Sequence, residues 1–208
     1  MKVKILYAIG WCLSRLIMSV LFRVRITGTE HIPDRGAFIL ASNHISFYDP
    51  PFLGASVRRE LYFFAKKELF DNALFGAVLR RVNALPARRG SVDRRALDTS
   101  IRVLGQGRGL VMFPEGTRSM TGDLLPPRAG VGLIAARVRC PIVVAHVQGS
   151  NRLLDCFLGR QRLSVTFGEP ILPDDYGELP AGKQAYIKIT GMVMERIRRL
   201  KDGVEHLK

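Results

Sequence analysis

The chain has little that would build a cross-linked or metal-stapled protein. Its three cysteines, Cys12, Cys140 and Cys156, are odd in number, widely separated and free of any CxxC pair. That excludes a disulfide framework and a structural zinc site, and it suits a reducing, intracellular setting. No Walker A sequence occurs. Gly105-Gln106-Gly107-Arg108-Gly109 is glycine-rich but stands before an apolar run, the context of a helix-to-strand turn rather than of a nucleotide loop. Neither a Ser/Gly-rich linker nor an internal repeat divides the 208 residues, so one compact α/β unit is expected after the first helix.

Acidic residues are also scarce: 18 Asp+Glu face 32 Lys+Arg, a net charge of +14. Such a field gathers anions, whether nucleic acid, an anionic membrane surface or a phosphorylated substrate. Zinc-finger spacing and RNP-type aromatic strands are missing, and the basic doublets are scattered along the chain. A basic nucleic-acid-binding module is therefore the rival reading from another class, and no nucleic-acid partner is expected.

Long apolar runs are missing as well. The stretch from Ile5 to Phe22 is shorter than a bilayer requires and carries Arg15 in its middle. It predicts neither a transmembrane span nor a cleaved signal. As a helix it gathers Ile5, Ile9, Leu13, Leu16, Ile17 and Val20 on one face and Lys4, Trp11, Arg15 and Ser19 on the other. Residues 1–22 are expected to form a membrane-interface helix, and residues 23–208 the remaining domain. Periodicity alone fits equally a helix packed on the protein's own core.

Six short apolar or alternating runs read as strands: Val24–Thr27, Ala37–Ala41, Leu61–Ala65, Gly109–Phe113, Pro141–Val147 and Leu163–Phe167. Helical patterns cover Pro51–Val57, Leu69–Val82, Val92–Leu104, Ala129–Val138 and Lys183–Leu200. The alternation predicts a mixed, largely parallel sheet flanked by helices. Ligands bind such sheets beyond the carboxyl ends of the strands. Three runs end in polar segments, Ser42–Asp49, Pro114–Ser119 and Gln148–Asn151, which share one rim if the strands are parallel.

His44 and Asp49 lie five residues apart, a spacing that neither a helix nor a strand brings together. The Pro50-Pro51 pair disfavours helix at Asp49 and suits an N-cap aspartate followed by proline, so the chain must bend there. A bend can return the carboxylate to the imidazole, fixing its tautomer and leaving the other nitrogen as a general base. A turn histidine beside a capping aspartate fits the spacing just as well.

Asn43-His44-Ile45-Ser46-Phe47-Tyr48-Asp49 resembles the N-H-x-x-x-x-D motif of the glycerolipid acyltransferases, and Phe113-Pro114-Glu115-Gly116-Thr117-Arg118-Ser119 resembles that family's F-P-E-G-T-R-S block. The two stand in the family's order with its spacing, and the likeness extends over about residues 25–170. Lys67-Glu68-Leu69-Phe70 and the run to Arg89 are similar to a block that ends in a phosphate-facing arginine, and Arg128-Ala129-Gly130 stands where relatives carry Lys-x-Gly. Val144 departs from the family's usual proline.

The pattern is most like that of bacterial 1-acylglycerol-3-phosphate acyltransferases. The resemblance implies transfer of a fatty acyl group from acyl-CoA or acyl carrier protein to a lysophospholipid, lysophosphatidic acid first, with glycerol-3-phosphate or a lyso-ornithine lipid as alternative acceptors. It implies His44 as base and Asp49 as its orienter, and it names Arg89, Arg118, Arg128 and Lys67 with Glu115, Gly116 and Thr117 for substrate binding. Glu115 would bind a glycerol hydroxyl or orient Arg118. Oxyanion donors would come from the Glu115–Thr117 turn or from the start of the helix after Asp49. No cofactor and no metal are implied. The expected location is the cytoplasmic face of the cell membrane, held peripherally on anionic lipid.

Overall fold

The computed structural model describes residues 5–87, 94–177 and 182–205. Seven strands form one sheet: β1 (Arg25–Thr27), β2 (Phe38–Ser42), β3 (Leu61–Lys66), β4 (Ala84–Ala87), β5 (Gly109–Met112), β6 (Ile142–Gln148) and β7 (Ser164–Phe167). Their order is β1-β7-β6-β2-β5-β3-β4, and only the β6–β7 pair is antiparallel. The helices are α1 (Ile5–Leu21), α2 (Asp49–Ser56), α3 (Ala73–Arg81), α4 (Arg94–Gly105), α5 (Gly130–Val138), α6 (Leu153–Phe157), α7 (Pro173–Tyr176) and α8 (Lys183–Glu205).

Strand β2 is buried at all five positions because helices cover both faces of the sheet there. Its residues alternate between two cores. Phe38 and Leu40 pack with Leu53 and Val57 around α2, while Ile39 and Ala41 pack with Leu104, Ile134 and Val193 of α4, α5 and α8. The order places β6, β2 and β5 side by side and parallel. Their carboxyl ends and the three polar segments that follow therefore share one rim. The amino ends of β1 and β7, which run the other way, meet that rim too.

Strand β4 is absent from the sequence reading. It is a short edge strand, and Pro86 is tolerated there because an edge leaves backbone N–H positions unpaired. The single helix expected over Leu69–Val82 breaks in two: Lys67–Phe70 forms a 3-10 turn, and α3 starts after Asn72, whose side-chain oxygen accepts from Phe75 N–H at 2.9 Å.

Helix α1 packs against α2 with the side that carries Trp11 and Arg15. Trp11 Nε1 donates to Val57 O at 2.7 Å and Arg15 Nη1 to Ala55 O at 3.0 Å, so the two polar tips satisfy carbonyls at the end of α2. Met18 is buried with Phe52, Ala55 and Leu163. The apolar face points away: Ile9, Leu13, Leu16 and Val20 are each more than half exposed. No helix among the described residues is long and apolar enough to cross a membrane.

Candidate active site

The site is built where β2 leaves the sheet. Asn43 receives Val147 N–H at 2.8 Å on its side-chain oxygen and donates Nδ2 to Val147 O at 2.9 Å, so one amide prolongs the β2–β6 ladder beyond the end of β2. His44 follows. Its Nδ1 lies 2.8 Å from Asp49 Oδ2, and its ring stacks on Phe113 at 3.9 Å with planes 16° apart. Both groups are buried, Asp49 completely.

Asp49 is not the N-cap. It is the first helical residue of α2, after Tyr48, and its carboxylate turns back to the loop instead of forward along the helix. Oδ2 accepts Ile45 N–H at 2.7 Å and Ser46 N–H at 2.8 Å besides the imidazole, and Ser150 Oγ donates to Oδ1 at 2.5 Å. Four donors thus converge on one buried carboxylate and fix its position. With Nδ1 held, Nε2 of His44 is the nitrogen left for a ligand.

Glu115, at the end of β5, is also buried, and both its oxygens are engaged by main chain. Oε1 accepts His44 N–H at 3.1 Å, and Oε2 accepts Leu125 N–H at 3.0 Å. Burial pushes its carboxyl up from the usual range, against the pull of those two bonds and with a smaller push from Asp49. Ser119 N–H donates to His44 O at 2.7 Å. The β5 loop therefore grips the histidine's backbone from both sides. Arg118 is placed by Phe47, with its guanidinium carbon 3.4 Å from the ring centroid and its buried Nε without a hydrogen-bond partner among the described residues.

Gly116 sits at φ +67, where its amide closes a turn onto Phe113 O at 3.0 Å, and a Cβ there would meet Arg128 Cδ at 2.7 Å. Arg128 thus lies against the turn, while Thr117 is exposed beside it. Lys67 is exposed at the end of β3, on the same rim but two strands from β2. Arg89 lies outside the described residues.

One expected oxyanion source is removed. At the start of α2, Pro50 and Pro51 have no N–H, while the amides of Ile45 and Ser46 are spent on Asp49, that of Tyr48 on Ser46 Oγ and that of Asp49 on Ser46 O. Ser150 is the residue that sequence reasoning did not single out. Its segment was placed on the rim, but a lone serine after a strand carries no signal of an aspartate 101 positions away.

The acyltransferase family model matches residues 23–147. The 1-acyl-sn-glycerol-3-phosphate acyltransferase of Bacillus subtilis is 28% identical over 93% of this chain and 96% of its own length. The lyso-ornithine lipid O-acyltransferase of Pseudomonas aeruginosa is 36% identical over 68% of this chain, which spans 53% of that protein. The crystal structure of the 1-acyl-sn-glycerophosphate acyltransferase PlsC from Thermotoga maritima superposes with a TM-score of 0.74 at 26% identity, covering 94% of this chain and 79% of that one. With the two motifs meeting at the rim and the family match spanning more than half of the residues, the chain belongs to the acyltransferase family.

Proposed function

We propose that the chain moves a fatty acyl group from an acyl thioester, acyl-CoA or acyl carrier protein, to the free sn-2 hydroxyl of lysophosphatidic acid, forming phosphatidic acid. The observation that carries the reading is the His44–Asp49 contact of 2.8 Å, which leaves Nε2 as a base at the rim. His44 takes the acceptor hydroxyl's proton through Nε2 as that oxygen attacks the thioester carbonyl. Asp49 stabilises the resulting imidazolium, and Ser150 steadies Asp49. The tetrahedral intermediate collapses, the carbon–sulfur bond breaks, and the imidazolium returns its proton to the departing thiolate. No acyl-enzyme forms.

Arg118 and Arg128 are the described cations nearest the turn and serve the acceptor's phosphate; the Gly116 amide is spent on Phe113 O, so Thr117 is the residue of the turn that offers a backbone donor to the developing oxyanion. Glu115 acts through His44 as a positioning residue. The exposed apolar face of α1 rests on anionic lipid at the cytoplasmic face of the membrane.

The test is purified protein in mixed micelles with lysophosphatidic acid, glycerol-3-phosphate and lyso-ornithine lipid, each with acyl-CoA and acyl carrier protein. Lysophosphatidic acid should give the highest kcat/KM, and His44→Ala should lower turnover about 10²–10⁴-fold with an unchanged melting temperature. Preference for lyso-ornithine lipid would transfer the chain to the other acceptor class, and near-normal turnover in the variant would remove His44 as base.

A further inference from the structure

Along the rim from His44, toward the β1 edge, lies a groove of about 1830 Å³ between the carboxyl end of α1, α6, the end of α8 and the strands β6, β7 and β1. It exceeds the roughly 300–1,000 Å³ of an ordinary small-molecule pocket. Arg23, Arg25, Arg152, Arg160, Arg162 and Arg199 surround it. Asp155 holds Arg152 at 2.7 Å and Glu195 holds Arg199 at 3.2 Å. Among the described residues, Arg23, Arg25, Arg160 and Arg162 have no carboxylate within salt-bridge distance. Arg23 moreover keeps φ +46 directly after α1, a backbone position that ordinarily selects glycine or asparagine.

The floor is polar by register. Arg25 pairs with Ser164 and Thr27 with Thr166 across β1–β7, while Gln148 pairs with Ser164 across β6–β7, so these side chains share one face of the sheet. Ser164 is 4% exposed, and among the described residues neither its hydroxyl nor Gln161 Oε1, both closed off from solvent, has a hydrogen-bond partner. Phe157 lines the same groove and is 56% exposed, leaving a ring face for stacking. Exposed guanidinium groups without a carboxylate partner and a bare aromatic ring, set over a polar floor, match a ligand with several phosphates and a planar base.

We infer that this groove binds the phosphorylated nucleotide end of acyl-CoA, so that the acyl thioester reaches His44 along the rim; the inference rests on the acyltransferase reading above. The floor lies one to three strand spacings from β2, about 5–14 Å, which sets the nucleotide apart from the thioester rather than on top of it. Gln148, Arg152 and Gln161 line both this groove and a smaller cleft of about 290 Å³ that reaches Asn43 and Ile45. That shared wall is the route for the donor's arm. A concave site with a sunken polar floor fits a small polyanion. The convex helix of a carrier protein or the plane of a membrane would leave that floor unreached.

The experiment measures CoA binding by calorimetry on the full chain, beside donor kinetics. Arg160→Ala/Arg162→Ala and Arg25→Ala should each weaken CoA binding about tenfold or more and raise the KM for acyl-CoA alike. The KM for lysolipid should stay within about twofold, and turnover of acyl-pantetheine, which lacks the nucleotide, should be unchanged. Arg162→Lys should restore part of the loss, and circular dichroism checks that each variant is folded. Unchanged CoA affinity, equal losses with acyl-pantetheine, or exclusive use of acyl carrier protein would overturn the groove assignment. CoA binding without acyl transfer would instead sink the proposed function and leave the groove standing.

Discussion

Replacing Glu115 by glutamine keeps the side chain's shape and removes one of its two acceptors. In the native protein Oε1 holds His44 N–H at 3.1 Å and Oε2 holds Leu125 N–H at 3.0 Å. Whichever way the amide is turned, an NH2 group then faces a backbone N–H inside a buried site. The lost charge-assisted bond is worth about 1.5–3 kcal/mol, and the neutral side chain recovers part of the desolvation that raises this carboxyl's pKa, so about 2 kcal/mol should be lost overall. In a domain of this size that lowers Tm by about 4–8 °C. Because the broken bond ends on His44 or on the loop at Leu125, kcat should fall while neither KM rises by more than about twofold. Scanning calorimetry and steady-state kinetics on the same preparation read both effects. A Glu115 that binds the acceptor's hydroxyl predicts the reverse, a higher lysolipid KM at unchanged Tm, and that outcome would refute the positioning role.

Arg118→Ala should raise the KM for lysophosphatidic acid about tenfold while the donor KM stays within about twofold, and equal changes in both would take Arg118 out of the acceptor site. Leu13→Asp/Leu16→Asp alters only exposed positions of α1, so Tm should hold within about 1–2 °C while flotation with anionic liposomes is lost; undiminished flotation would remove α1 from the interface. His146 is buried, which with a smaller push from Lys201 and against Asp202 depresses its pKa to about 4. Between that value and the unfolded value of about 6.5 the unfolded chain binds more protons, so stability rises with pH through this window. Urea titrations should find about 2 kcal/mol less stability at pH 5 than at pH 7 from this group, and His146→Phe should flatten the difference. An unaltered slope in the variant would assign the acid loss to other groups.

The strands of the core were legible because each is a short apolar run closed by turn residues, and their parallel order put the three polar segments on one rim. The faces of α1 were legible too, but not which one looks inward. Trp11 and Arg15 read as a wet face, yet they turn to the protein because α2 ends with carbonyls that an indole and a guanidinium can satisfy. Sequence spacing brought out His44 and Asp49 but assigned Asp49 a capping role that the loop's own amides displace. Ser150 and the arginine groove stayed hidden for another reason. Both are assembled across strands far apart in the chain, by the reversal of β7 against β6 and by a loop 101 residues beyond Asp49.

The side-chain amide of Asn43 imitates a peptide unit, bonding Val147 in both directions as a further β-strand residue would. The imidazole next to it therefore inherits the stiffness of the most buried part of the sheet rather than the looseness usual for a connecting loop. Beyond that anchor, Phe47 and Tyr48 stand exposed at the tip. Changes at that tip therefore leave the backbone anchor of the imidazole in place.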